Sequence, residues 1–210
     1  MIAYIEDRVI DIRKSRITLV MPRSSRYLDS LFVYSRKNNT EPEEIAALIH
    51  NESDWNCYSV SQAGAAGLTM LMPSTAHELG LSPIYRIEDF EKNEDKYSRG
   101  EITREERDNF RINYSKELIS IDNKEKIDER FNPYKSMAGG IEYFDRSKRE
   151  YENSVLCYAA YNAGPERVNE WIITGWKGEI DKIQYPETRR FVDNIITSLK
   201  EIDEVDWKSY

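Results

Sequence analysis

Residues that usually build metal centres and disulfide scaffolds are scarce in this chain of 210 residues. It has two cysteines, Cys57 and Cys157, and two histidines, His50 and His77. Two cysteines are too few for a disulfide scaffold or a zinc site on their own, and two histidines are too few for a histidine-rich metal centre. The sequence therefore implies no metal and no other cofactor.

Long apolar runs and an excess of basic charge are also missing. No run approaches the roughly 18 apolar residues of a membrane span, so we expect no transmembrane segment. The first charged side chain is Glu6, so the N-terminus lacks the unbroken apolar stretch of a secretory signal. We therefore expect the chain to be either cytoplasmic as made or to begin after a removed leader. The 30 basic residues against 38 acidic ones give a net charge of −8, which argues against a nucleic-acid binder.

What remains is the composition of a folded, mostly helical protein. Hydrophobic residues make up 40% of the chain and aromatic residues 11%, enough to bury a core. Helical spacing of apolar residues appears in residues 1–21, which Pro22 ends, and again in residues 23–37. We predict an N-terminal helical extension, 1–39, packed on a domain of residues 40–210.

The clearest predicted helix begins at Thr40, whose hydroxyl could form a capping box with Glu43. Along it, Ile45, Leu48 and Ile49 share one face with Glu52, at positions i, i+3, i+4 and i+7. The pattern therefore places a carboxyl group on the core-facing stripe of a helix.

The segment 86–130 differs in character from the rest. It is dense in charged residues and has few large apolar ones. We predict a charged insert at about 83–130 that is mostly solvated and contains short helices, and residues 86–130 are a candidate site for a protein partner.

Regular patterning resumes after this insert with three further helices. One follows Pro133, the next runs from the cap Asn153 to the stop Gly164, and the last begins near Pro186. The fold class is thus mainly α, a helical globule with at most a small β-hairpin near 67–72.

Glu52 is the sharpest candidate for chemistry. Burial and the negative end of the helix dipole both disfavour its charged form, so both raise its pKa, as a general acid at neutral pH requires. The alternative is a structural glutamate paired with an arginine or hydrogen-bonded to Ser53 or a tyrosine.

Four ordered motifs, together with one further segment, shift the balance towards chemistry. They comprise Glu52-Ser-Asp-Trp-Asn, Ser61-Gln-Ala-Gly-Ala-Ala-Gly-Leu with Leu71-Met-Pro-Ser-Thr-Ala, Asp128-Glu-Arg-Phe-Asn-Pro-Tyr-Lys-Ser, Ala159-Ala-Tyr-Asn-Ala-Gly-Pro and Tyr185-Pro-Glu-Thr-Arg. In this order they resemble the lytic transglycosylases with a goose-lysozyme-like domain. The third of them is similar to a segment of the membrane-bound transglycosylase D branch. The resemblance covers about 40–82 and 128–200.

The resemblance implies an α-rich, lysozyme-like fold with a catalytic cleft, acting on peptidoglycan glycan strands. Cleavage falls at the β-1,4 bond between N-acetylmuramic acid and N-acetylglucosamine and yields a 1,6-anhydro product. The family's catalytic glutamate maps onto Glu52, first as acid and then as base, so a second carboxylate is not needed. Family members act in the periplasm or cell envelope, although no signal peptide is visible here.

The same residue-by-residue transfer assigns the substrate-binding positions. Ser53 would orient the Glu52 carboxyl group, Tyr161 and Asn162 would line the cleft, and Tyr185 would close its far side. For these residues, helix-end, turn and packing roles are the alternatives.

Met70 departs from the family pattern, which has glutamine at this position. A thioether accepts hydrogen bonds only weakly, so this change would weaken or redirect sugar binding. Met70 and the long insert thus keep open the alternative of a catalytically weakened glycan-binding or scaffold protein. A hydrolytic muramidase, in which water attacks, is a second alternative.

Other aromatic and sulfur-containing residues near these motifs have weaker assignments. Trp55, Tyr58, Tyr143 and Tyr158 are candidates for stacking on sugar rings, although aromatic residues at helical spacing more often belong to the core. The resemblance places Cys57 and Cys157 in cleft-forming segments, so a disulfide between them is an open alternative.

Overall fold

The computed structural model describes residues 2–205, and within them the chain is built from ten α-helices. Residue 1 and residues 206–210 of the predicted domains lie outside the described part. The helices are α1 (Ile2–Val20), α2 (Leu28–Lys37), α3 (Pro42–Ser53), α4 (Pro73–Glu78), α5 (Ile87–Ser98), α6 (Arg104–Ser120), α7 (Pro133–Glu150), α8 (Ser154–Ala163), α9 (Pro165–Ile173) and α10 (Pro186–Glu204).

Extended structure is limited to isolated antiparallel bridges of Ala66 with Val60 and with Leu71. The described residues contain no longer strand, so the mainly α prediction is confirmed. None of the described helices combines the length and apolarity needed to cross a bilayer.

The chain divides into two compact units, and the division falls within α3 and within α7. The first unit comprises the described residues up to Asn51 and from Ile141 onwards, and the second comprises Glu52–Gly140.

In the first unit, α8 buries Cys157, Tyr158, Ala159, Ala160 and Tyr161. It contacts α9 and α10, and α1 also packs against α10. The predicted cap Asn153 accepts a 2.8 Å hydrogen bond from the Val155 amide, and Gly164 ends the helix at φ +90°. Both predicted ends of this helix are confirmed, because a polar N-cap and a left-handed glycine satisfy the groups that a helix leaves open.

The start of α3 differs from the prediction by one residue. The Glu41 amide donates to the Glu44 carboxylate, whereas the Glu43 carboxylate accepts from Arg13 Nε of α1 at 2.6 Å. The Thr40 amide donates to the Ser35 carbonyl instead. The predicted box of Thr40 with Glu43 is therefore wrong, because an arginine from another helix takes the Glu43 side chain. The stripe itself is confirmed: Ile45, Leu48 and Ile49 are fully buried.

Sequence patterning missed α9. The signal was present, since Pro165 follows a glycine and occupies the first turn, where its missing N–H costs nothing. Val168 and Trp171 are the buried residues of this short helix.

In the second unit, the charged segment is more ordered than predicted. Its second helix, α6, has 17 residues and a complete capping box of Thr103 with Glu106. The helices α5 and α6 bury an aromatic cluster that includes Phe90 and Tyr114, whose ring centroids lie 5.2 Å apart, together with Phe131. The expectation of short helices is therefore wrong, because a few aromatic residues among many charges suffice for a small core. The expectation that the segment is mostly solvated is confirmed, since most of residues 86–130 are exposed or half-buried. Its role in binding a protein partner stays a prediction.

Candidate functional site

Glu52 lies in the last turn of α3 and is half-buried. The helix ends directly after it, because Asp54 and Trp55 take left-handed conformations with φ +49° and +63°. Such φ values are uncommon for residues other than glycine and cluster at functional sites. Trp55 is buried, whereas Asp54 is exposed, as expected for a residue two positions away from Glu52.

Ser53 connects this helix end to a second segment of the same unit. Its hydroxyl is buried and donates a 2.7 Å hydrogen bond to the Leu68 carbonyl. A hydroxyl has one proton to donate but keeps lone pairs that accept. Ser53 can therefore accept a hydrogen bond from a neutral acid without giving up the bond to Leu68.

The segment that receives this bond is the loop 59–71, which we call the site loop. Bridges of Ala66 with Val60 and Leu71 close it, and the Gly67 amide donates to the Ser59 carbonyl at 3.0 Å. The site loop contains the two glycines of the Ser61-to-Leu68 motif. Gly67 has φ +86°, and a Cβ atom there would lie 2.0 Å from the Arg130 carbonyl oxygen, so only glycine fits.

Met70 lies at the end of the turn in the site loop. It is half-buried and has φ +48°. Its neighbour Thr69 is fully buried and donates from Oγ1 to the Ser136 carbonyl of α7 at 2.8 Å. Met70 is thus presented by a turn that is anchored at the preceding residue.

Within the first unit, Tyr161 and Asn162 lie near the end of α8. Tyr161 is buried, and its ring packs edge-on against Tyr143 of α7 with centroids 5.2 Å apart. The Asn162 side-chain oxygen accepts a 2.8 Å hydrogen bond from Thr188 of α10. This bond orients the amide so that its NH2 group, with two donor protons, is what Asn162 can offer to a ligand.

Tyr185 lies directly before α10 and is 39% exposed. Its ring packs edge-on against Trp171 with centroids 5.4 Å apart, and the Arg167 guanidinium lies 5.0 Å from its ring centroid. Arg167 also donates to the Tyr185 hydroxyl. Tyr185 is therefore a surface residue whose ring is held in place by Trp171 and Arg167, and not a core residue.

The six predicted site residues fall into two groups, each inside one unit. Glu52, Ser53 and Met70 belong to the second unit, and Tyr161, Asn162 and Tyr185 belong to the first. Four supporting residues were missed from sequence: Thr69, Arg130, Ser136 and Thr188. Of these four, only Arg130 could have been expected to make a specific contact, because an arginine two residues after Asp128 is typical of an ion pair.

The remaining aromatic candidates separate by exposure. Tyr58 is exposed and stacks on Phe131 at 6.1 Å, so it is available at the surface. Tyr158 is buried against Phe144, and its hydroxyl donates to Glu44 at 3.0 Å, which makes it a core residue. Cys57 and Cys157 are both free thiols, so the disulfide considered from sequence is absent between these described residues.

The fold and these residues define a helical, lysozyme-like domain with a half-buried glutamate at a helix end. Comparison with known proteins agrees with this class. The model of the transglycosylase SLT domain family matches residues 29–96 and 112–184, and the chain belongs to this family. The interval 97–111, between the two matched ranges, comprises the end of α5, the loop between α5 and α6, and the first part of α6.

Two relatives and two solved structures illustrate the similarity. The chain is 24% identical over 177 residues to the soluble lytic murein transglycosylase of Salmonella typhimurium, covering 81% of this chain and 22% of the relative. It is 25% identical over 157 residues to the Escherichia coli K12 protein of the same name, covering 71% of this chain and 19% of the relative.

The solved structures are an inactive glutamate-to-glutamine mutant of lytic transglycosylase Slt from Pseudomonas aeruginosa and the 70 kDa soluble lytic transglycosylase SLT70 from Escherichia coli. Both have a TM-score of 0.58, and each match covers 86% of this chain and 25% of the solved chain. The sequence identities are 22% and 20%, respectively. They share the fold of this chain. The chain thus spans about a fifth to a quarter of the length of the proteins it matches.

Proposed function

We propose that this domain is a lytic transglycosylase that cleaves the β-1,4 bond between N-acetylmuramic acid and N-acetylglucosamine in peptidoglycan. The observation that carries the proposal is Glu52, a half-buried glutamate at the end of α3, inside the residues that the family model matches. The murein transglycosylase names of the relatives support this substrate. The inactive glutamate-to-glutamine mutant supports an essential glutamate in that relative.

The proposed reaction needs one carboxyl group in two roles. Neutral Glu52 donates its proton to the glycosidic oxygen as the bond from that oxygen to C1 of the muramic acid breaks. The resulting carboxylate then accepts the proton of the C6 hydroxyl, whose oxygen forms the new bond to C1. The products are a 1,6-anhydro sugar and a free N-acetylglucosamine end, no water is consumed, and Glu52 is again protonated.

The surroundings of Glu52 suit the first step. Half-burial disfavours a charged carboxylate, and so does the negative end of the helix dipole at the end of α3. Ser53, fixed by its bond to Leu68, offers lone pairs to a protonated acid. We propose that Tyr161, Asn162 and Tyr185 contact the glycan, with the Asn162 NH2 group donating to a sugar carbonyl oxygen.

The place of action follows from the substrate. Peptidoglycan lies outside the cytoplasmic membrane, so we propose that the protein works in the cell envelope. Two competing functions use the same fold: a muramidase in which water attacks C1, and a glycan-binding protein without turnover. Met70 favours the second, because the thioether replaces the amide that the family pattern has at this position.

One experiment separates the three functions. Purified sacculi are incubated with the native protein, Glu52→Gln and Asp54→Asn, while turbidity is followed and the released muropeptides are analysed by mass spectrometry. Asp54→Asn is the matched control, because it removes an exposed carboxylate two residues away.

We expect clearing by the native protein and Asp54→Asn, none by Glu52→Gln, and products one water lighter than reducing muropeptides. Reducing ends would identify a muramidase. Binding to sacculi without clearing by any variant would identify a glycan-binding protein, and either result would overturn the proposal.

A further inference from the structure

Arg130 is completely buried, and Asp128 neutralises its charge. The guanidinium donates from Nε and Nη2 to the two Asp128 carboxylate oxygens at 2.9 and 2.7 Å, and both side chains have 0% exposure. Nη2 also donates to the Tyr114 hydroxyl at 2.9 Å. Tyr114 of α6 and the neighbouring Asp128 therefore hold the guanidinium in one orientation.

The third nitrogen of this guanidinium binds the site loop. Nη1 donates to the Gly64 carbonyl at 2.7 Å and to the Leu71 carbonyl at 3.1 Å. These two residues enclose the turn that presents Met70 and the Leu68 carbonyl. A planar guanidinium can hold two carbonyls and a carboxylate at fixed angles, which a single ammonium group cannot do.

The backbone around Arg130 supports the same loop. The Arg130 carbonyl oxygen lies only 2.0 Å from where a Cβ atom of Gly67 would be, and the Thr69 amide donates to the Ser136 hydroxyl at 3.3 Å. Gly140 of α7 lies against Thr69, since a Cβ atom there would be 2.5 Å from the threonine side chain. The segment from Arg130 to Gly140 thus contacts the site loop on both sides of its turn and in the turn itself.

A buried ion pair is an expensive way to obtain stability alone. Apolar side chains of similar size often stabilise a protein as well or better, because a buried charge loses its hydration. What apolar side chains cannot supply is hydrogen bonds to two loop carbonyls. The arrangement therefore favours a role in placing the loop over a role in stability.

We infer that Arg130 is a positioning residue for the proposed glycan site, and this inference rests on the proposed function. Arg130 fixes the site loop on both sides of its turn, at Gly64 and Leu71. The turn places Met70 and the Leu68 carbonyl, which holds Ser53, the residue next to Glu52. Loss of the Nη1 hydrogen bonds should loosen the loop and weaken glycan binding while the rest of the domain stays folded.

The test compares two variants of Arg130 in the whole chain. Arg130→Lys keeps a positive charge beside Asp128 but lacks the planar guanidinium, which donates to several acceptors at once. The double variant Arg130→Met with Asp128→Asn removes both charges, so it strands no buried charge and is expected to fold even if the lysine variant does not. Tyr114→Phe is the matched control, because it removes a contact of Arg130 that does not involve the loop.

Two quantities are measured for each variant: amide hydrogen exchange by residue, and binding to purified sacculi with Glu52→Gln present to prevent cleavage. We expect the Ala66 and Leu71 amides, which bond each other's carbonyls, to exchange faster in both Arg130 variants while α6 stays protected. Binding of the two Arg130 variants to sacculi should weaken about tenfold, because a group that contacts the glycan is misplaced. The control Tyr114→Phe should change binding by less than about twofold.

The outcomes separate this inference from the proposed function. If the native chain neither binds nor cleaves sacculi, the proposed function fails, and the exchange of the loop amides alone decides whether Arg130 holds the loop. Unchanged loop exchange in both Arg130 variants would overturn the inference. Native-like glycan binding with a loosened loop would also overturn it.

Discussion

Thr188 and Asn162 join two of the sequence motifs through a single hydrogen bond. The Thr188 hydroxyl on α10 donates to the side-chain oxygen of Asn162 on α8, at 2.8 Å. Thr188 is buried, and Asn162 is half-buried. The bond explains why a threonine in the closing motif matters to a site on another helix, because it sets which end of the asparagine amide a ligand meets.

Replacing Thr188 with valine should therefore cost both stability and binding. Valine has the same shape but no hydroxyl, so the Asn162 oxygen loses its partner at a cost of roughly 1–3 kcal/mol. We expect a lower urea midpoint and weaker binding to sacculi. Thr188→Ser keeps the hydroxyl and serves as the control. A Thr188→Val variant that binds as well as the native protein would contradict the role given to this bond.

Helix positions were largely predictable from the sequence, because their signals are local. Asn153, Gly164 and Pro186 mark ends that the structure places within a residue of prediction. The stripe that carries Glu52 was predictable for the same reason, since apolar spacing reports the buried face of a helix. The start of α3 was not predictable, because Arg13 lies 30 residues away from the Glu43 that it binds.

The supports of the candidate site were beyond sequence reasoning because they join distant residues. Arg130 reaches Gly64 across 66 positions, and Thr69 reaches Ser136 across 67. Neither spacing follows from helix or strand periodicity. The aromatic core of the charged segment was missed because Phe90 and Tyr114 are diluted by charged residues and meet only when α5 and α6 pack.

Met70→Gln is expected to strengthen sugar binding. The glutamine amide can donate and accept, whereas the thioether accepts only weakly, and both side chains must occupy the same backbone conformation at φ +48°. We expect a gain of about 5- to 30-fold in affinity for chitooligosaccharide by calorimetry, equivalent to one or two hydrogen bonds. Met70→Leu, which adds no polar atom, should leave the affinity near that of the native protein. Unchanged binding in Met70→Gln would show that this position does not contact sugar.

The two thiols should differ sharply in reactivity. Burial and, to a smaller extent, the nearby Glu44 raise the pKa of Cys157 to about 11. Its Sγ faces the Ser147 and Tyr151 carbonyls. Because the thiolate is the reactive species, Cys157 should resist modification in the folded protein, whereas half-buried Cys57 should react.

We expect one thiol to be modified by a maleimide at pH 8 in the native protein and two in urea, with the native reaction abolished in Cys57→Ser. If two thiols appeared in urea only after reduction, the cysteines would form a disulfide and the free thiols of the structure would be contradicted.

Tyr114 should make the domain sensitive to alkaline pH. Burial raises the pKa of its phenol to about 12, although the Arg130 charge opposes this effect. The unfolded chain releases this proton near the ordinary tyrosine value of about 10, so the folded state binds more protons between pH 10 and 12. The contribution of the neutral phenol is thus complete below pH 10 and is lost as the pH rises towards 12, by roughly 1–3 kcal/mol. Urea unfolding at pH 8 and pH 11 measures it. The Tyr114→Phe variant is the control, because it lacks only this phenol and keeps the other tyrosines. It should lose less stability than the native protein between pH 8 and pH 11. An equal loss in both proteins would show that ionisation of Tyr114 is not coupled to unfolding.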